Sequence, residues 1–356
     1  MTRFKSTEDL QLFSLLMPAT PHIQSFKQFR DVVYSFRLSR IIFTALDLDL
    51  FNIMGRRTLT IPQLAKQLHT SHRGVEILCR SLASTGLLMK SHAGYRTSTF
   101  ANRYLQKSSK EFRGDYLALM QRQWKEWSRL TEVVTSGIPV DSQEPETPEY
   151  RRSFTWAMHH RSQEPAQQVA KQVSIKTARS FLDLGGGPGT YALAFLKANP
   201  QLHATVMDRP AALEVAQTLA KQASVESRLS LQSGNFINDK IAGTYDIVWN
   251  TNVLHINSPS ENLKFFRKIR RALRPGGRLI IQDTFLEDPQ GLRPLETNLF
   301  AVTMLLYTDT GNTYPLQDVR AWLHKAGLNR TRVIRLKQGT GDWEGQLLEA
   351  RRPVSS

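Results

Sequence analysis

Apolar positions recur at two different periods along the chain, and the change of period divides it. In residues 25–55, Phe36, Ile41, Ile42, Ala45, Leu48 and Leu50 share one face, which predicts a helix ending near Phe51. Thr60-Ile-Pro-Gln63 then offers a hydroxyl cap, a proline in the first turn and a glutamine three residues on, the composition of a capping box. Leu64 and Leu68 continue that short helix. After the polar stretch Thr70–Gly74, Val75, Leu78 and Leu82 define a second helix that Gly86 stops. Leu87–Lys90 and Tyr95–Thr97 read as strands around the turn Ser91–Gly94. Helix, turn, helix and hairpin form a winged-helix pattern. Residues 114–137 are helical by Leu117, Met120, Trp124, Trp127 and Leu130. Residues 138–150 are polar, acidic and proline-rich, hence a loop, and a helix follows from Arg151 to about Lys171.

From residue 180 the pattern alternates. Strands are expected at Ser180–Leu184, Ala204–Asp208, Leu229–Ser233, Tyr245–Asn250 and Arg278–Asp283, with helices at Thr190–Ala198, Ala211–Gln222 and Pro259–Leu273. That rhythm predicts an α/β fold with a doubly wound sheet. Arg332–Leu336 and Gln346–Arg351 flank Gly339–Gly341 and predict a closing antiparallel hairpin.

Composition narrows the class. The chain has 356 residues, 40% of them apolar and 22% charged, which suits a folded chain of one large or two ordinary domains. Cys79 is the single cysteine, so no intrachain disulfide and no cysteine metal cluster can form; this fits a reducing cytoplasm. No apolar run reaches the ~18–20 residues of a membrane span. The run Leu10–Met17 is interrupted by Gln11 and Ser14, and Glu8 and Asp9 stand where a signal peptide would carry positive charge, so a soluble, unprocessed chain is expected.

The net charge of +16 raises nucleic acid, acidic lipid or anionic substrates as partners, but it is spread, +9 over residues 1–115 and +7 over the rest. The groups Lys264, Arg267, Lys268, Arg270, Arg271, Arg274 and Arg330, Arg332, Arg335, Lys337 are the densest. The first alternates with Leu263, Phe266, Ile269 and Leu273 and reads as the solvated side of an amphipathic helix.

The sharpest local signal is Phe181-Leu-Asp-Leu-Gly-Gly-Gly-Pro-Gly189, a strand running into Gly185, Gly187 and Gly189 before a helix. Glycines let the backbone turn tightly and approach a ligand at a helix N-terminus. Asp208 ends the next strand, at the distance where a carboxylate holds ribose hydroxyls. The spacing D-x-G-x-G-x-G, led by Asp183, favours S-adenosylmethionine. A nicotinamide or flavin dinucleotide, or an ordinary strand-to-helix turn, stays open on these residues alone.

Leu182–Gly189, Asp208-Arg-Pro210, Asn252-Val-Leu-His255, Leu273-Arg-Pro-Gly-Gly277 and Ala45-Leu-Asp-Leu-Asp-Leu-Phe51 together resemble the small-molecule O-methyltransferases of the caffeate and hydroxyindole type, over nearly the whole chain. The resemblance implies a Rossmann-like methyltransferase sheet with a mainly helical winged-helix dimerisation domain. It implies residues 1–113 as dimerisation domain, 114–172 as linking helices contributing to the acceptor pocket, and 173–356 as the S-adenosylmethionine domain, with S-adenosylhomocysteine as product and no metal. Asp183, Gly185, Gly187, Gly189, Asp208, Arg209, Asn235, Phe236 and Asn250 are the implied cofactor residues. Asn235, within Gly234-Asn-Phe236, stands where an aspartate is expected and can face the adenine amino group through its carbonyl.

His255 follows the fourth strand by a few residues and so falls at the carboxyl edge of the sheet. A phenol with a pKa near ~10 is mostly neutral at pH 7, and a neutral imidazole can take its proton during attack. The resemblance assigns His255 that role and Asp283, ending the fifth strand, the role of flanking acid. Departures are Ile256-Asn257 where plant members have Asp-Trp, Thr251 in place of a lysine, and Thr313 in place of a second acid. They keep carbon or nitrogen acceptors, or a changed reaction, in view. Trp156, Met158, Phe300, Met304 and Tyr307 are the implied acceptor-pocket residues. His159-His160 lies on a helix with no further ligands nearby. The partners expected are a small aromatic or polycyclic acceptor and a second copy of the chain through the N-terminal domain, in the cytoplasm, without nucleic acid. The competing reading is a winged-helix DNA-binding regulator with a ligand-sensing α/β domain, using Arg73 and Arg80 in the major groove.

Overall fold

The computed structural model describes residues 23–140, 147–336 and 346–354. Two compact units divide between Gln121 and Arg122.

In the first unit the helix expected across residues 25–55 is three helices, α1 (Phe26–Tyr34), α2 (Phe36–Asp47) and α3 (Leu50–Met54). The Ser35 hydroxyl donates to the Val32 carbonyl at 2.7 Å, competing with the helical ladder, and Asp49 turns left-handed at φ 51° between α2 and α3. Thr60 and Gln63 form the capping box that opens α4 (Ile61–Leu68), and Ser71 caps α5 (His72–Ser84). The hairpin is β1 (Leu88–Ser91) and β2 (Gly94–Thr97), followed by α6 (Thr99–Tyr104). Leu50, Phe51, Leu64, Val75, Leu82 and Leu88 are buried together. Phe26, Phe29, Val32 and Val33 on α1 are exposed.

The expected helix 114–137 breaks at Ser128–Arg129 into α7 (Gly114–Trp127) and α8 (Leu130–Ser136). In the second unit α9 (Pro148–Gln172) starts earlier than Arg151, because Thr147 caps it and proline suits the first turn. Seven strands then form one sheet in the order β10-β11-β7-β6-β3-β4-β5. They are β3 (Ser180–Leu184), β4 (His203–Asp208), β5 (Leu229–Ser233), β6 (Tyr245–Thr251), β7 (Leu273–Asp283), β10 (Asn329–Ile334) and β11 (Gln346–Arg351). β3 to β7 run parallel, and the hairpin β10–β11 closes the edge antiparallel to β7. Its Gly339–Gly341 turn, like Glu8, Asp9 and Leu10–Met17, lies outside the described residues.

Helices cover both faces, so the strands are apolar on both sides. Phe181, Trp249 and Ile280 pack against α9, α10 (Thr190–Ala198), which contributes Phe195, and α11 (Pro210–Gln222). Leu182, Val248, Phe266 and Ile281 pack against α12 (Pro259–Ala272) and, after the short strands β8 (Phe285–Leu286) and β9 (Tyr314–Pro315) and helix α13 (Leu295–Tyr307), α14 (Leu316–Lys325). The winding reverses between β3 and β6, and a ligand crevice belongs at their carboxyl ends. Among the described residues, no helix is long and apolar enough to cross a membrane.

Candidate active site

β3 delivers Asp183 and Leu184 to the sheet edge, and the chain then turns through three glycines in the left-handed region. Two of them are needed there for different reasons. A Cβ on Gly185 would sit 3.1 Å from Val253 and 3.2 Å from the Phe236 ring, whereas nothing lies within 4 Å of one on Gly187, which faces open space. The Gly187 N–H donates to Asp208 Oδ2 at 2.7 Å and the Arg209 N–H to Asp208 Oδ1 at 2.7 Å. The loop and the second-strand acid are thus joined directly. Burial pushes the Asp208 carboxyl above its ordinary range, against those two backbone donors.

Two buried acceptors at the same edge find no donor among the described residues. Asp183 Oδ2 accepts from the Ala192 N–H at 3.2 Å, but Oδ1 is unpartnered. Burial, with the nearby Asp208 charge, pushes its carboxyl up to about 7. The Asn250 amide donates to the Leu184 carbonyl at 2.9 Å and leaves its own oxygen unpartnered. Buried polar atoms are rarely left so unless something outside the chain meets them.

Asn235 is engaged within its own loop. Its side-chain oxygen accepts from the N–H groups of Ile237 (2.9 Å) and Asn238 (3.3 Å), closing the loop after β5. Short polar side chains favour such local turns. Phe236 remains beside Gly185.

His255 sits in a single 3-10 turn, Leu254–Ile256, and is only 7% exposed. Asp283 Oδ1 accepts from its Nδ1 (2.9 Å) and from the Thr284 N–H (2.9 Å), while Oδ2 accepts from the Leu254 N–H (3.0 Å). A carboxylate only accepts, so this network assigns the proton to Nδ1 and the lone pair to Nε2. Nε2 has no protein hydrogen bond among the described residues. Buried Asn262 holds the turn by donating to the Leu254 carbonyl at 2.9 Å. Phe300 on α13 meets the imidazole edge-on, with ring centres 4.7 Å apart.

A glycine-loop sheet joined to an acid, with an acid-held imidazole at its edge, has clear counterparts. A profile described as the O-methyltransferase domain matches residues 114–329, and one described as the O-methyltransferase dimerisation domain matches residues 31–107. The chain belongs to the S-adenosylmethionine-dependent O-methyltransferase family. Among its relatives, 3-hydroxy-5-methyl-1-naphthoate 3-O-methyltransferase of Streptomyces sahachiroi is 27% identical over 301 residues, 82% of this chain and 86% of that one. The tetracenomycin polyketide synthesis 8-O-methyl transferase of Streptomyces glaucescens is 26% identical over 323 residues, 88% of this chain and 94% of that one. Human N-acetylserotonin methyltransferase, solved in complex with S-adenosylmethionine, has the same fold, with a TM-score of 0.81 at 22% identity, over 94% of this chain and 99% of that one.

The residues of this O-methyltransferase fit that cofactor: the open face at Gly187, the adjoining Asp208 and the unpartnered oxygens of Asp183 and Asn250 gather at one sheet edge. Of the expected pocket residues, Phe300 touches His255 and Met304 is buried on the same helix. The Tyr307 hydroxyl is spent on Glu126 at 2.5 Å, beside Val133 and Val140. Trp156 packs against the sheet core and edge-on to His159 (5.9 Å), and Met158 is half-buried one residue before it.

Three local contacts near this sheet edge escaped the sequence reading. His159 does have a partner: its Nδ1 lies 2.9 Å from the Thr190 hydroxyl, directly after the glycine loop, and its Nε2 is 2.7 Å from Gln163. Its spacing of four from buried Thr155 was the available signal. Gly311 packs against the His255 carbonyl, where a Cβ would come within 2.5 Å. Lys268, taken as solvated, turns inward.

Proposed function

We propose that the protein transfers a methyl group from S-adenosylmethionine to a hydroxyl of a small aromatic or polycyclic metabolite, with His255 as general base. The observation that carries this reading is the contact of Asp283 Oδ1 with His255 Nδ1, which leaves His255 Nε2 as an acceptor with no protein partner among the described residues. When bound, S-adenosylmethionine supplies an electrophilic methyl carbon on a sulfonium. His255 Nε2 takes the acceptor's hydroxyl proton as its oxygen attacks, and Asp283 balances the resulting imidazolium. Phe300 lines the approach to the imidazole as an aromatic wall. Asp208 would hold the ribose hydroxyls, Phe236 the adenine side, and Asp183 with Asn250 the amino-acid tail. The hydroxylated polycycles in the names of the two Streptomyces relatives support the acceptor class.

In the same reading residues 1–113 pair two chains, 114–172 help to build the acceptor pocket and 173–356 hold the cofactor. The exposed aromatic face of α1 beside the dimerisation match supports the homodimer.

The test is a screen of hydroxylated aromatic rings with isotopically labelled methyl donor, alongside calorimetry. Roughly one S-adenosylmethionine site per chain and label on a ring oxygen are expected. Absence of cofactor binding removes the enzymatic reading, and label found only on nitrogen or carbon removes the hydroxyl acceptor.

A further inference from the structure

α12 carries the densest run of positive charge, yet its members differ in placement. Lys264, Arg267, Arg271 and Arg274 are exposed, whereas Lys268 is half-buried. Its ammonium donates to three backbone carbonyls, those of Phe236 (2.5 Å), Ile237 (2.7 Å) and Asp239 (3.0 Å). An ammonium has three N–H donors, so this one is fully committed. Burial lowers its pKa, and the adjacent Asp239 charge opposes that shift.

The segment so gripped is the loop after β5. Within it the Asn235 N–H donates to Asp239 Oδ2 (2.7 Å) and the Asn235 side-chain oxygen takes two further N–H groups. At its start the Gly234 N–H donates to the Asp208 carbonyl at 3.1 Å. The loop is therefore tied to the second-strand acid at one end and to α12 at the other. Between the two ties stands Phe236, whose ring lies against Gly185. α12 is a firm anchor, because Phe265, Phe266 and Ile269 bury its inner face and Ser258 and Glu261 box its start.

We propose that Lys268 is a positioning residue for the cofactor: by capping three carbonyls of residues 236–239 it fixes the Phe236 ring as the adenine-side wall of the site. This rests on the reading that the glycine-loop edge binds S-adenosylmethionine. Lys268 touches no reacting group, so its removal weakens adenosyl binding and leaves proton transfer at His255 alone.

The experiment measures S-adenosylhomocysteine and adenosine binding to the full-length protein by calorimetry. Lys268→Met is expected to weaken both ligands by the same factor, about tenfold, since only the adenosyl end loses its wall. Arg267→Ala, one residue away on the exposed face, is expected to leave both unchanged. Lys268→Cys alkylated with 2-bromoethylamine restores an ammonium at nearly the same reach, and is expected to recover affinity to within about twofold of wild type. Cys79 does not compete for the reagent, being buried with its thiol pushed up to about 11. If Lys268→Met does not fold, Lys268→Gln, which retains two donors, is measured in its place and is expected to lose affinity by a smaller factor. Affinity within twofold of wild type in the variant measured, or no recovery after alkylation, overturns the proposal while the cofactor reading stands. Failure of the wild type to bind S-adenosylhomocysteine overturns both.

Discussion

The two ends of the sheet's carboxyl edge are finished to different degrees. At the end of β7, Asp283 accepts from His255, Leu254 and Thr284, and the turn bearing the imidazole is held again by Asn262. At the ends of β3 and β6, Asp183 and Asn250 each bury an oxygen with no donor among the described residues. A buried acceptor left so costs about 1–3 kcal/mol. At the base end the carboxylate that holds the imidazole is satisfied by protein donors, while at the proposed cofactor end the oxygens of Asp183 and Asn250 are left for donors from a ligand. Substitutions at the base end should therefore change turnover, and those at the cofactor end should change affinity.

His255→Ala is the largest expected break: turnover falls about a thousandfold, the range for loss of a general base, while S-adenosylhomocysteine affinity stays within about twofold. Equal losses in both would erase the distinction between the two ends. Asp283→Asn comes next. Its amide can donate toward Nδ1 and so reverses the tautomer, and turnover should fall about a hundredfold or more. A pH–rate profile with an unmoved acid limb and near-normal turnover would show that the dyad does not set the base. Asp208→Asn acts at the other end: one oxygen beside the Gly187 and Arg209 N–H groups becomes a donor, and the cofactor dissociation constant should rise about tenfold or more. Turnover at saturating donor should hold; a fall there instead would place Asp208 in the chemistry. Gly311→Ala is smaller. Its Cβ would come 2.3 Å from the Thr308 hydroxyl and 2.5 Å from the His255 carbonyl, so the turn must shift. Turnover should drop about tenfold with cofactor binding intact, since small displacements of a reacting group are expensive.

The comparison also explains what the sequence could show. Apolar patterning made β3 to β6 readable to within a residue, whereas β7 begins at Leu273, five residues before the expected Arg278, across the polar stretch of residues 274–277. The helix breaks at Ser35 and Asp49 were invisible, since each depends on a single hydroxyl bond or one left-handed residue. The glycine loop, Asp208, His255 and Asp283 could be placed at the carboxyl edge of the sheet from the sequence, because each ends or directly follows a strand whose pattern was readable. The inward turn of Lys268 and the local bonds of Asn235 were unreadable for one reason. A lysine in a basic run and an amide in a loop reveal no partner until the chain folds, and their partners here are backbone groups, which carry no sequence signature. His159 was missed likewise, its partner Thr190 lying 31 residues on.

The smallest expected effect probes the unfinished end most directly. Burial and the Asp208 charge raise the Asp183 carboxyl to about 7 in the folded chain, against ~3.9 when unfolded. Below about pH 4 both states hold the proton. Between about pH 4 and 7 the unfolded chain releases it and the folded chain keeps it, so folding stability falls as pH rises through that window. Above about 7 both are ionised and the penalty stays constant. Asp183→Asn removes the titration while keeping the shape. Its urea midpoint relative to wild type should therefore shift upward from pH 4.5 to pH 8, other groups cancelling in the difference. Added S-adenosylhomocysteine should shrink that shift, because a donor meeting Oδ1 favours the carboxylate. A midpoint difference that ignores pH would mean Asp183 is not held neutral. A shift that ignores the ligand would mean Oδ1 is met by something other than the cofactor, and the contrast between the two ends would lose its chemical meaning.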